Sequence, residues 1–349
     1  MKLLEQLSNA DAIAGQEDEV RNLLVQNFKG ADEVFCDKLG SVIFKLDGKS
    51  HDGKIMVAAH MDEVGFAVKN ILENGQILVK QFGAVKPLAR FMQGVRITNS
   101  KGEKIKGYLN SDVKDDAVIK DIEKTAYVDV GAKNASEVEK LNIEIGNAVT
   151  FDSNFNVINS KNIIAGKAFD DRLGCYIMQR VFKNLEKAKP ALDIYFAATT
   201  SEEIGLRGAK TSAHAIDPDV AFVIDACCYN DSFDYSKNNT RQTGSGMILS
   251  YSDRNATSNK CLIETIKSVA KKQKKNLQLD TLTTGGTDAI NISLNGDGVP
   301  AVTCCIPLRY GHCSYSIADM QDIEDAIEIL TEVLKNFDQK KLGRCISFI

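Results

Sequence analysis

Several segments of this chain end an apolar run on a side chain able to hold a metal ion. His60 closes KIMVAAH, with Asp62 two residues on; Asp170 and Asp171 stand together in GKAFDDRLG. Glu202 and Glu203 follow LDIYFAATT and precede the turn IGLRG, Asp225 closes VAFVID, and His312 follows VPAVTCCIP in PLRYGHCSYS. Singly, each has an ordinary structural interpretation. An acid after a histidine is common by chance, paired aspartates at a helix start complement its dipole, and paired glutamates can form an exposed turn. A carboxylate at the inner end of an apolar run, as at Asp225, must find a partner or a metal. Together, His60, Asp170, Glu203, Asp225 and His312 supply N and O donors from separate segments, with one carboxylate available for sharing. That is the donor set of a two-metal hydrolytic centre. Asp62 is spaced to hydrogen-bond the second nitrogen of His60 and fix its tautomer. Adjacent glutamates on a short turn can face different ways, so one binds metal while the other handles protons.

The elements that must position these residues fall into three zones. Residues 1–66 hold a capped amphipathic helix, Gln16 to Phe28, and the strand-like runs VIFKL and KIMVAAH. Residues 67–164 are short alternating segments, GQILVKQF, GVRITN, GEKIKGYL and NAVTF, punctuated by Gly and Asn, with little helical periodicity. They predict a small all-β unit. Residues 165–349 return to long helical patterns, DRLGCYIMQRVFKNL and ADMQDIEDAIEILTEVLKNF, alternating with buried-strand runs. If the first and third zones share one α/β sheet, the chemistry-bearing residues gather at the C-terminal ends of its strands, where open α/β sheets keep their sites.

Composition narrows the alternatives. The chain has 349 residues, 44% hydrophobic and 26% charged, with no Trp and a net charge of -4. This is an ordinary globular composition with no electrostatic draw toward nucleic acid. The basic run Lys271, Lys272, Lys274 and Lys275 ends a helix-like stretch, where cations suit the dipole. The N-terminus lacks the long apolar stretch of a signal peptide or membrane anchor, so a cytoplasmic protein without membrane contact is expected. Nine cysteines without regular spacing argue against a structural zinc site and against a disulfide framework; all are expected to be reduced. Of the four histidines, His51 in SHDGK and His214 in TSAHAID are given surface or packing roles.

AAHMDEVGF, GKAFDDRLG, TTSEEIGLRGAKT, VIDA, TGGTDA and IPLRYGHCS, in that order and spacing, resemble the tetrahedral dinuclear metallo-aminopeptidases, a family of glutamyl and deblocking aminopeptidases with some members labelled endoglucanases. AIAGQEDEVR and DKLGSVIFKL extend the match toward the N-terminus. The resemblance implies an α/β catalytic domain with a mixed central sheet flanked by helices, interrupted by a β-barrel-like dimerisation domain. By position it implies that His60 and Asp225 hold one metal, that Glu203 and His312 hold the other, and that Asp170 bridges them. Glu202 becomes the general base, Asp62 orients His60, and the Asp170–Asp171 peptide bond is cis. The implied cofactors are two divalent ions, zinc first, with cobalt or manganese as alternatives. The implied substrates are short peptides, trimmed from the N-terminus inside a dodecamer built from dimers. Two departures bear on the pocket: Cys313, Ser314, Tyr315 and Ser316 replace the family's usual Ser-Pro and Glu after the histidine, and Ile290 and Asn291 stand where smaller residues are common.

Three rivals remain. An N-acyl amino-acid hydrolase could use the same donors and would be separated by its substrates. A glycoside hydrolase would use paired acids but leaves both histidines unexplained, and chelator sensitivity separates it. A non-catalytic scaffold has no reason to keep the whole donor set. Arg254, in YSDRNATSN, could pair with an acidic first residue of the substrate.

Overall fold

The computed structural model describes residues 1–111, 125–229, 241–282 and 285–347, which leaves Thr284 of TGGTDA outside. Helices α1 (Lys2–Asn9) and α2 (Asp18–Asn27) precede β1 (Glu33–Cys36), β2 (Val42–Leu46) and β3 (Lys54–His60). Then come β4 (Gly65–Ile71), β5 (Ile77–Phe82), β6 (Gln93–Thr98), β7 (Lys104–Ser111), β8 (Ala126–Asp129), α3 (Ala135–Lys140) and β9 (Ala148–Phe151). The chain continues through β10 (Asn156–Val157), β11 (Ile163–Gly166), α4 (Phe169–Glu186), β12 (Asp193–Thr199), α5 (Arg207–Ile216) and β13 (Val220–Tyr229). It ends with β14 (Met247–Ser252), α6 (Lys260–Gln273), β15 (Leu277–Thr281), α7 (Ala289–Ser293), β16 (Ala301–Arg309), β17 (Ser316–Asp319), α8 (Met320–Lys335) and α9 (Gln339–Ile346).

Two β structures result. An 11-stranded mixed sheet runs β1-β2-β12-β3-β13-β16-β17-β11-β10, with β14 joined to β16 and β15 to β14. Its centre, β12-β3-β13-β16, is parallel, and its strands are nearly continuous apolar runs because helices cover both faces. Strands β4-β5-β8-β7-β6-β9 close into a separate barrel. Phe66, Val79, Val95, Ile97, Leu109, Val128 and Val149 fill it, so it has a core of its own. The architecture expected from sequence, a mixed α/β sheet with an inserted barrel, is the one observed.

Register gathers the candidate residues. Pairing of β12 with β3 sets Thr199 beside His60, and pairing of β13 with β3 sets Val223 beside Ala58, two residues before Asp225 and His60 respectively. The parallel centre therefore delivers His60, the turn after Thr199 and Asp225 to one edge, and β16 leads toward His312 at the same edge.

Four expectations are corrected. Helix α2 runs from Asp18 to Asn27 rather than from Gln16 to Phe28 and has no side-chain cap: the Glu17 carbonyl accepts its first bond, from Arg21 N, while the Glu17 carboxylate bonds elsewhere. The middle zone contains helix α3, capped by Asn134, whose side chain accepts from the Glu137 amide. Strand β13 does not close at Asp225 but stays paired with β16 through Tyr229. Cys261 and Cys345 are not reduced: packing of α6 against α9 brings their Cα atoms to 5.2 Å, within bridging range, and they form a disulfide. The other cysteines are free. Among the described residues no helix is long and apolar enough to cross a membrane.

Candidate metal centre

Two donors, His60 and Asp225, stand on strands β3 and β13, and the backbone is bent where it presents the other three. Ala168, two residues before Asp170, has φ 55°; Ser201, just before the paired glutamates, 57°; His312 itself, 60°. Left-handed backbone at residues other than glycine costs about 1–3 kcal/mol each and persists only where surroundings over-determine it. Asp170 and Asp171 are non-helical although helical pairing already includes them, so regular helix starts at Arg172, as the sequence suggested. The bond between them is cis.

These bends and the register of β3 and β13 bring the expected donors together. His60 Nε2 lies 3.2 Å from Asp170 Oδ1, and His312 Nε2 lies 3.2 Å from Asp170 Oδ2. His312 Nε2 is also 3.5 Å from Glu203 Oε1. Ligand atoms of His60, Glu202 and Asp225 lie within 4.8 Å of one another, as do those of His60, Asp170 and Glu203. Two ligands at about 2.0–2.1 Å from one tetrahedral ion stand roughly 3.3 Å apart, so the 3.2 Å separations suit a shared cation. The second ring nitrogens are fixed too: His60 Nδ1 is 3.0 Å from the Asp62 carbonyl and His312 Nδ1 is 3.2 Å from the Ala84 carbonyl.

The electrostatics call for positive charge. Burial, with Asp225, Glu203 and Asp288 nearby, pushes Glu202 well above the usual carboxylate range against the pull of His60. Burial, with Asp170 and Asp171 nearby, does the same to Asp225, and burial lifts Glu203 to about 7. Burial opposes charge on His312, yet Glu203 and Asp170 raise it to about 9. Asp170 lies below its usual range despite burial because both imidazoles donate to it. Glu203 Oε1 is buried without a hydrogen bond. A cluster of buried carboxylates with an orphaned oxygen is costly unless cations compensate it, so the residues present fit a divalent metal centre.

A surrounding layer, only partly read from sequence, holds the donors. The Asp62 carboxylate sits 3.5 Å from His60 Nδ1, but its closer bonds are to backbone, accepting from Glu202 N at 3.0 Å and Glu203 N at 3.1 Å. Asp62 therefore ties the histidine loop to the glutamate turn, with its carbonyl rather than its carboxylate nearest the ring. Asp171 accepts from the amides of His60 and Gly174, and a Cβ on Gly174 would overlap its carboxylate. Glu63 accepts from Lys167 and Arg172, both fully buried, and Arg172 also donates to the carbonyls of Met61 and Leu7. The sequence signal for this network was the further charge, at Glu63, Lys167 and Arg172, within the motifs that carry His60 and Asp170. His214 is exposed on α5, and His51 pairs with Asp193 at 2.9 Å. A further potential metal cluster there, Asp47 with His51 and Asp193, is filled by the Lys45 ammonium, 2.7 Å from Asp47. Arg254 is exposed; its amide donates to the Gly285 carbonyl.

Residues 40–329 match the family model described as M42 glutamyl aminopeptidase. The chain belongs to that family. This M42 member is thus a peptidase hydrolase of a metal-dependent aminopeptidase family. It is 33% identical to the lysyl aminopeptidase of Pyrococcus furiosus over 349 residues, covering 97% of this chain and 98% of that one. Among solved structures it is similar to the TET aminopeptidase from the marine sediment archaeon Thaumarchaeota archaeon SCGC AB-539-E09, with a TM-score of 0.94, 32% identity and 99% of each chain covered. It is also similar to a Thermotoga maritima protein described as an endoglucanase, with a TM-score of 0.80, 27% identity and 99% of each chain covered.

Proposed function

We propose that this M42 chain removes the first residue of short peptides with two divalent ions held by His60, Asp170, Glu203, Asp225 and His312. The observation that carries this is the position of Asp170, whose two oxygens each face a different imidazole, both at 3.2 Å. His60 and Asp225 would hold one ion, Glu203 and His312 the other, and Asp170 both. Zinc is the first candidate, with cobalt or manganese accepted by the same donors. Two bound ions supply Lewis acidity for a shared water and for the scissile carbonyl.

The protein's own contribution is proton handling and orientation. Glu202, next to a metal-binding residue yet not needed as one, takes the proton of the attacking water and returns it to the departing amine. Its raised affinity for protons suits that exchange. Asp62 keeps Glu202 and Glu203 in fixed relation to His60 through their amides. A glycoside hydrolase would use the acids alone, whereas here both histidines are bonded into the centre. An N-acyl amino-acid hydrolase would share the metal set but would not favour a free amine.

The inserted unit, 67–164, serves in this proposal as the dimerisation domain. Leu88, Met92 and Tyr108 are exposed by 82%, 66% and 61%, apolar side chains that a second subunit would cover. Dimers would build the tetrahedral dodecamer, which sedimentation of the native protein tests by its mass. We infer a cytoplasmic location from the seven cysteines that stay free beside the Cys261–Cys345 bridge. The function is tested with amino-acid anilides and N-acyl amino acids offered to chelated protein resupplied with single metals. Metal-dependent release from free-amine anilides supports it, and turnover of acylated substrates alone sinks it.

A further inference from the structure

The turn that carries Glu202 and Glu203 is held in an unusual way. Sheet pairing of β12 ends at Thr199. The next four amides, at Thr200, Ser201, Glu202 and Glu203, bond to side chains: Ser41 Oγ, Glu17 Oε1, Asp62 Oδ1 and Asp62 Oδ2. Asp62 comes from the histidine loop. Glu17 comes from the N-terminal segment, more than 180 residues away in sequence.

Glu17 is 1% exposed. Its Oε1 accepts from Ser201 N at 3.1 Å, from Gly15 N at 2.8 Å and from the Thr200 hydroxyl. The Arg21 guanidinium is 3.8 Å from the other oxygen. Glu17 stands where a cap for α2 would be, yet its side chain makes no capping bond there. A buried carboxylate that forgoes its local role is costly unless its long-range bonds matter. Those bonds end on Ser201, held at φ 57°, one residue before Glu202.

We propose that Glu17 is a positioning residue for hydrolysis: it locks the Thr200–Ser201 bend, and so aims Glu202 at its proton and Glu203 at its metal. The assignment rests on the aminopeptidase function above for its kinetic consequence, but not for its effect on metal binding. Without the acceptor, Ser201 relaxes from left-handed backbone and the two glutamates swing away from His60.

The test measures kcat and KM on an amino-acid anilide, calorimetric zinc affinity of chelated protein, and thermal unfolding. Glu17→Ala should lower kcat by about 10–100-fold, the usual effect of losing a partner just outside a metal site. KM should hardly change, and one of the two zinc affinities should weaken. Glu17→Gln, which keeps an acceptor, should regain most of the loss, whereas Glu17→Asp, too short to reach, should not. Thr200→Val should act in the same direction, and Glu17→Ala with Thr200→Val should be no worse than Glu17→Ala alone. If Glu17→Ala does not fold, Thr200→Val decides. Unchanged kcat and zinc affinity with only a lower Tm, or additive losses in the double variant, would overturn the assignment. If the parent protein cleaves no anilide at all, the aminopeptidase function fails, and the zinc affinities still decide the role of Glu17.

Discussion

His60 and His312 both reach Asp170: each ring places Nε2 3.2 Å from a different oxygen of that carboxylate. One side chain thereby joins the end of β3 to the turn after β16. Asp170→Asn keeps the shape but removes the charge and offers one acceptor oxygen instead of two. Loss of a direct ligand should exceed the ~10–100-fold effect of outer partners, so activity should fall by more than about 100-fold. Metal analysis should show fewer than two ions per chain. Full occupancy with normal turnover would mean that Asp170 does not bridge.

Glu202 is expected to separate chemistry from metal binding. Glu202→Gln is nearly isosteric and removes only the proton acceptor, so kcat should fall by roughly 10²–10⁴-fold, the usual contribution of a general base. Metal content and KM should stay close to the parent values. Loss of an ion along with activity would instead make Glu202 a ligand, which its clustering with His60 and Asp225 would then explain.

Much of this was legible in the chain itself, for identifiable reasons. Strands β2 and β3 match VIFKL and KIMVAAH because buried strands in a parallel sheet are continuous apolar runs bounded by polar turns. The donors stood out because charge at the end of such a run needs a partner. Asp225 was misread as a strand end because charge resembles a boundary, whereas the neighbouring donors let β13 continue past it. Glu17 was not singled out within the expected helix because its partners, Thr200 and Ser201, come near it only in the folded protein. The Cys261–Cys345 bridge was hidden for the same reason: 84 positions separate the two residues.

Metal affinity should rise with pH. In the metal-free protein, burial disfavours the charged form of His312 but Glu203 and Asp170 hold its proton up to about 9. Burial holds a proton on Glu203 up to about 7. Both groups bind metal only after deprotonation, so protons compete with the ion at low pH and cease to do so as pH rises. Zinc affinity should therefore increase from pH 6 to about 9, with more protons released per chain at pH 6 than at pH 8. Titration calorimetry in buffers of different ionisation enthalpy measures that release. A release that does not change with pH would contradict the protonated state of these two ligands.

The disulfide between Cys261 and Cys345 fastens the last helix, α9, to α6, away from the metal donors. Closing so long a loop restricts the unfolded chain, and bridges of this kind contribute about 2–4 kcal/mol. Reducing agent should lower the Tm of the parent but not that of Cys261→Ser, while kcat at moderate temperature stays the same in both. Equal Tm with and without reductant would remove the bridge from the stabilising interactions.

Arg254 offers the last prediction, on the choice of first residue. It is exposed, and Gly286 lies close both to its neighbour Asn255 and to Leu206 after the glutamate turn: a Cβ on Gly286 would meet Asn255 Nδ2 at 2.6 Å and Leu206 Cδ1 at 3.7 Å. Asn291, one of the departures from the family pattern, donates to the Leu206 carbonyl at 2.6 Å and steadies that turn. A cation on this loop would favour substrates beginning with Glu or Asp. Because the guanidinium is solvated, Arg254→Ala should lower the acidic-to-neutral rate ratio by only about two- to fivefold, the range an exposed ion pair supplies. Added salt should erode the parent's preference in the same direction. A ratio that stays constant in the variant would remove Arg254 from substrate selection.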